Sequence, residues 1–331
     1  MKALLLRSQL FLVTSAALFI LWTVFSRLGV GGFFFFIPDI ETFSGFHYPY
    51  LLALVLLFAV SYRMQAAKIL ALNILGFYVW FAFALAKWDA GGIQVLALAI
   101  IFGVFLLLLA VVHIYVLKFP REFGLPYSGF GAMSILVSTY LLSFSSLLNR
   151  FHDPEAMGEV SIYYWVFIGG ITLASALGSF FVFSMKDFIP FVRYGFLGLT
   201  GLVVFTLLFL FFPAIPEGVQ FERPLYAYQT FNPYTLVWNV ILAAEIIGII
   251  ILGYFTHERR YVNIGILFFV LLVMSRYFDV FSLYFGTYAS FIVGGLLFIF
   301  LGYFLERFRK KLLQKIENRR ETSLPVSGGN L

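Results

Sequence analysis

Glu245 stands in the run WNVILAAEIIGIIIL, about ten residues from either end of an apolar segment. A helix of that length puts it near the middle of a bilayer, where an ionised carboxylate is costly. Such a group must be neutral, paired or turned toward a polar cavity. The chemistry it offers is coupling to a proton or cation, or a polar contact to a substrate. The structural alternative is a protonated Glu hydrogen-bonded to a neighbouring helix. Asn239, six positions earlier, lies about 240° round the helix and is expected on another face.

Arg276 and Asp279, in SRYFD, are spaced i, i+3 and can pair on one helix face near the outer boundary. The pair can fix the helix end, or Arg276 can reach inward to a substrate anion or to Glu245. At 1.5 Å per residue the depth difference is roughly 10 Å, so direct contact needs tilt or a bridging water. Arg27, Lys87, Arg150, Arg223 and Arg276 are the outer-side cations. Converging, they could hold a lipid-linked phosphate; scattered, they are snorkelling anchors. Asn73 and Asn263 read as interhelical hydrogen-bond donors. His113 reads as structural, with no partner at i±4.

Other chemistries drop out. There is no cysteine, which excludes disulfides, thiolate metal sites and a cysteine nucleophile. The four His are scattered, and no metal site, cofactor fingerprint or catalytic constellation is present. The formal charge of +6 fits topogenic charge and a basic tail better than nucleic acid.

The elements that must position these residues follow from composition. Apolar residues make up 62% of the 331 and charged residues 11%, against roughly half and a quarter in soluble domains. Forty-four Phe side chains need a bilayer as solvent. At that depth only helices or closed barrels satisfy the backbone, and the runs are too long and uniform for barrel strands. Residues 1–306 therefore read as an all-α, polytopic transmembrane bundle of about ten helices, and residues 307–331 as a cytoplasmic basic tail. The expected spans are Gln9–Phe25 (an uncleaved first helix), Tyr50–Tyr62, Ala66–Ala86, Ile93–Leu117, Tyr127–Leu147, Val160–Met185, Val192–Phe212, Tyr234–Phe255, Tyr261–Asp279 and Tyr288–Glu306. The second is short, so nine remains open.

Charge orients the bundle. With both termini cytoplasmic, the inner segments hold Lys2, Arg7, Arg63, Lys68, Lys118, Arg121, Lys186, Arg193, Arg259, Arg260 and seven tail residues, 17 of the 22 Lys and Arg. That bias is the positive-inside pattern. Arg307, Arg309, Lys310 and Lys311 begin a tail suited to anionic lipid on the cytoplasmic surface. Gly170, Ala174 and Gly178 make a smooth helix face, as do Ser290 and Gly294 beside Gly295; such faces favour close helix approach. Phe33–Phe36 is expected in the interface, and Pro213–Pro233 as an outer cap. Five helices plus five would suit an inverted repeat, but the halves share no motif.

The segment SRYFDVFSLYFGTYASFIVGGLLFIFLGYFLERFRKKL resembles the C-terminal end of a family of bacterial membrane proteins of unknown function, often described beside proteins named for a GDYXXLXY motif. Arg276, Tyr277, Phe278 and Asp279 match its aromatic-Asp part, and Gly294, Gly295, Glu306 and Arg307 its double glycine and basic stop. The quoted segment, Ser275–Leu312, is 38 residues long. It implies a bacterial cytoplasmic membrane and a helix count, with no activity attached. Three functional readings stay open: a transporter or permease using Glu245; a membrane scaffold or envelope-assembly partner; and an enzyme on a lipid-linked substrate.

Overall fold

The computed structural model describes residues 47–144, 147, 160–184, 190–211, 233–256 and 258–323. Among them the regular elements are helices: α1 (His47–Met64), α2 (Ala67–Lys87), α3 (Gly92–Val111), continued by a π-turn (Val112–Val116), α4 (Arg121–Leu142), α5 (Ile162–Ser184), α6 (Pro190–Phe211), α7 (Pro233–Thr256) and α8 (Arg259–Ser323). Seven described helical segments are long and apolar enough to cross a membrane, and Tyr50–Met64 is a shorter apolar helix. The expected first span, the Phe33–Phe36 run, the Pro213–Pro233 loop, Arg27, Arg150, Arg223, and the side chains of Asp279 and Ser290 lie outside the described residues.

The helices turn their large apolar side chains outward as well as inward. Ile299, Phe300 and Phe180 are 74%, 72% and 72% exposed. Water would not tolerate a surface of that kind; hydrocarbon does. This is a membrane-embedded, multi-pass helical protein.

The chain divides into two compact units. The first holds residues up to Ile135 together with Arg150–Ser184 and Leu199–Pro213. Its core is built by Leu70 and Ile74 of α2, Phe102, Leu106 and Ala110 of α3, and Phe123 and Tyr127 of α4, with Ile171 of α5 packed against them. Gly103 and Gly131 let α3 and α4 touch backbone to backbone. A methyl added at either would come within 2.8 Å of the other's carbonyl oxygen. The three short junctions linking α1, α2, α3 and α4 each turn through a non-glycine residue with positive φ, namely Gln65 (49°), Asp89 (53°) and Lys118 (54°). Left-handed residues of this kind close helix C-termini.

The second unit holds Leu136–Asn149, Met185–Gly198 and Ala214–Leu331. Its α7 and the start of α8 form a tight hairpin. A methyl on Gly253 would come 2.8 Å from the Val262 backbone nitrogen. Helical backbone then runs from Arg259 to Ser323, but not as one rod. Arg309 Nη1 lies 3.4 Å from Asn263 Oδ1, and a methyl on Gly294 would come 2.7 Å from the Tyr277 ring. In a straight helix those pairs would be about 69 and 25 Å apart at 1.5 Å per residue. Both pairs centre on residue 286, a glycine. The chain therefore doubles back there, between the segments read from sequence as the last two spans. The reversal brings Arg259 and Arg260 to the same end as Arg307, Arg309, Lys310 and Lys311.

Before α8, whose helical backbone covers the gap expected at 280–287 and runs on to Ser323, one helix differs from the sequence expectation more than the rest. The span expected at Tyr127–Leu147 is a helix from Arg121 to Leu142. It starts early because Phe123 N donates to Pro120 O at 2.8 Å, and it continues through Pro126 in its second turn, which has no N–H for the Glu122 carbonyl. It stops early because Ser143 turns out of the helix, and its carbonyl is taken by other helices.

Candidate functional site

The second unit gathers polar side chains around the end of α4. The last carbonyls of a helix have no intrahelical donor and carry the negative end of its dipole. Here Ser143 O accepts from Arg276 Nη2 at 2.8 Å and from Asn239 Nδ2 at 3.2 Å. The same guanidinium nitrogen donates to Ser143 Oγ at 2.7 Å, and that hydroxyl donates to Tyr140 O at 2.6 Å. The guanidinium carbon lies 4.8 Å from the centre of the Phe144 ring, a cation–π contact that shields the charge. Arg276 Nη2 thus caps α4.

One turn back along α4, Thr139 Oγ1 donates to Glu245 Oε2 at 2.6 Å. Thr139 is fully buried. Glu245 sits at the centre of α7, 12 residues past Pro233 and 11 short of Thr256. Its other oxygen, Oε1, is enclosed and has no hydrogen-bond partner. The site therefore offers one carboxyl oxygen held by an interhelical hydroxyl and a second one open to a proton, a cation or a donor group.

Asn239 and Glu245 both address the short Thr139–Ser143 segment, contrary to the expectation that they face apart. Residues 240° apart in one sense are 120° apart in the other, so both can flank one neighbouring helix. Asn239 reaches across while also donating to its own Thr235 O at 2.7 Å. The α4 end does carry a signal in composition, one that the span expected to Leu147 leaves unused: SFSS interrupts the apolar run at Ser143, and serines compete with the helix for backbone partners.

The first unit carries a second polar cluster. His113 lies in the π-turn, and its Nδ1 is 2.5 Å from the backbone oxygen of Leu109, whose side chain offers it no partner. A carbonyl only accepts, so Nδ1 holds the proton. In a neutral ring Nε2 then accepts from Tyr62 Oη at 2.5 Å, and Tyr62 Oη accepts from Tyr127 Oη at 2.6 Å. Phe119 and Phe123 pack on Tyr62 and His113. The π-turn places the ring within reach of the Leu109 carbonyl, which also accepts from the Val112 backbone N–H.

The remaining sequence candidates fall as follows. Gly170 and Ala174 are exposed, and a methyl on Gly170 would meet nothing within 4 Å; Gly178 meets Leu108 at 3.2 Å. Gly294 is buried against Tyr277, whereas Gly295 is exposed with nothing within 4 Å. Arg307, Lys310 and Lys311 are exposed. Arg309 is held by Glu306 at 2.8 Å and Lys310 lies 3.7 Å from the same carboxylate. Asn73 Nδ2 donates to Leu54 O at 3.1 Å. Lys87 ends α2, exposed. Among the described residues, no group of three His, Asp or Glu could hold a metal ion. No protein-family model matches the chain, and no curated protein or solved structure matches it either.

Proposed function

We propose that the protein is a transporter of the cytoplasmic membrane of a bacterium, coupled to a proton or monovalent cation through Glu245. The observation that carries this reading is the enclosed, unpartnered Oε1 of Glu245 at mid-helix. Proteins keep intramembrane acids where an ion or proton must pass. On the facing helix α4, Thr139 supplies the hydroxyl that holds the other carboxyl oxygen.

The same proposal takes in ten passes with both termini cytoplasmic. The α8 reversal supports its last two passes, and the basic end shared by Arg259, Arg260 and Arg307–Lys311 supports their orientation on anionic lipid. It also keeps the kinship with bacterial membrane proteins of unknown function read from the SRYFD and GG segments. A second reading, a non-transporting scaffold for an envelope complex, rests on the Thr139–Glu245 hydrogen bond, which by itself is helix glue.

Carbodiimides modify protonated carboxyls in apolar surroundings. Peptide mapping of the labelled protein, in detergent with Na⁺, Li⁺ or K⁺ added, tests the proposal. Modification at Glu245 should be suppressed by one of these cations. Glu245→Gln should abolish the proton release that the same cation triggers in weak buffer. Labelling indifferent to every cation, with no proton release from the native chain, leaves the scaffold reading.

A further inference from the structure

Hydroxyls buried in the helices of this protein usually bond to their own backbone. Buried Thr206 Oγ1 donates to Leu202 O at 2.7 Å and half-buried Thr256 Oγ1 to Leu252 O at 2.7 Å. This i−4 bond is always within reach of a helical Ser or Thr. On α5, three hydroxyls in a row decline it. Thr172 Oγ1, Ser175 Oγ and Ser179 Oγ are each enclosed and without a hydrogen-bond partner. Ser175 and Ser179 are only 2% and 5% exposed.

The spacing of three and then four residues puts all three on one helix face. That face is the buried one, shared with Tyr164, Ile168 and Val182. The row spans about 10 Å along the helix at 1.5 Å per residue. It begins ten residues inside α5, well below the point where Tyr164 Oη donates to Gln94 O at 2.9 Å. Neither Gly170 nor Ala174, which face outward, has any part in it. One buried hydroxyl turned from its carbonyl is a packing accident; three in register make a polar track.

We propose that this face of α5 is a hydrated track, in which a file of water molecules bonds to Thr172, Ser175 and Ser179 in turn. A buried water needs two to four polar partners, and a row of hydroxyls gives each one neighbours above and below. The occupant is water, because the row offers hydroxyls alone, with no charged group to compensate an ion. The proposal is independent of Glu245, which belongs to the other unit.

X-ray radiolysis of the full chain in lipid nanodiscs tests it. The hydroxyl radicals form from water in place, so buried side chains are oxidised only where water touches them. Ile168 and Val182 of α5 should be oxidised several-fold faster than Ile100 and Ile101 of α3, which are equally buried. In Ser175→Ala/Ser179→Ala the α5 rates should fall to the α3 level. Equal α5 and α3 rates in the native chain overturn the proposal. That comparison is made within the native chain, so it decides the matter even where the variant fails to fold. A second readout has opposite signs for the two cases. Removing hydroxyls that hold water lowers the melting temperature, whereas removing hydroxyls from a dry contact raises it, and the latter result also overturns the track.

Discussion

In the Tyr62–His113–Tyr127 chain of the first unit every donor has an acceptor, ending on the Leu109 carbonyl. In the Thr139–Glu245 pair of the second unit, one carboxyl oxygen is bonded and the other is enclosed with nothing to bond. Both clusters are polar groups surrounded by hydrocarbon. A fully satisfied network rigidifies the helices it joins, and a half-satisfied one is a liability unless it performs a task. The contrast separates polar residues kept for the fold from polar residues kept for work, and substitutions in the two clusters should differ in sign as well as size.

The largest loss is expected from His113→Ala. It removes the acceptor of the Tyr62 hydroxyl and one of the donors to the Leu109 carbonyl, and opens a hole between Tyr127 and Phe123. The combined cost is roughly 2–4 kcal/mol, from unmet hydrogen bonds and the cavity together. Thermal unfolding of the purified chain in one fixed detergent measures it. A melting temperature unchanged from native would mean that the closed chain contributes nothing to the fold.

Arg276→Leu comes next. The guanidinium makes two charge-assisted bonds at Ser143, and hydrogen bonds to charged groups are worth about 1.5–3 kcal/mol each at most. Asn239 remains on the same carbonyl, so the loss should fall near the low end, about 2 kcal/mol. The same unfolding assay checks it. If Arg276→Leu also abolishes the cation-dependent labelling of Glu245 while the fold survives, the α4 cap and the acidic site act as one device.

How much of this is legible in the sequence depends on what each residue answers to. The bounds of α7 lie within one residue of the sequence expectation, because hydrocarbon length and flanking Pro233 set them locally. The end of α4 falls five residues short of its expected place, because it is set by Asn239 and Arg276, which lie 96 and 133 residues further along the chain from Ser143. Glu245 is readable as the odd acid in an apolar run. Its partner Thr139 is not, since nothing in a single sequence says which helix lies opposite. Likewise the regular Gly170–Ala174 spacing draws attention, while the close contact of α3 with α4 sits at Gly103 and Gly131, two glycines that no shared spacing links. Composition reads the solvent and the span; opposed faces are a property of the assembled bundle.

Thr139→Val sharpens the contrast within the second unit. Valine keeps the shape and removes the hydroxyl, leaving both Glu245 oxygens without a protein donor. The expected cost is about 1 kcal/mol, the net value of an ordinary hydrogen bond. A much larger loss, near that of His113→Ala, would show that the Glu245 cluster is as structural as its counterpart.

The smallest effect on stability, and the most telling in sign, is expected from Glu245→Met. Methionine has nearly the volume of Glu and fills irregular space without strain. It removes one hydrogen bond, to Thr139, and it also removes the enclosed oxygen that has no partner. Replacing buried polar groups with well-packed apolar ones is often neutral or stabilising, so the change should lie within about 1 kcal/mol of native and can be positive. Thr139 limits the loss, because its hydroxyl also lies 3.3 Å from Leu136 O and can return to its own helix. A protein that folds as well or better without its central acid, yet no longer couples proton release to a cation, holds that acid for its chemistry. A loss of several kcal/mol would instead place Glu245 among the groups that hold α7 to α4, and the difference between the two clusters would disappear.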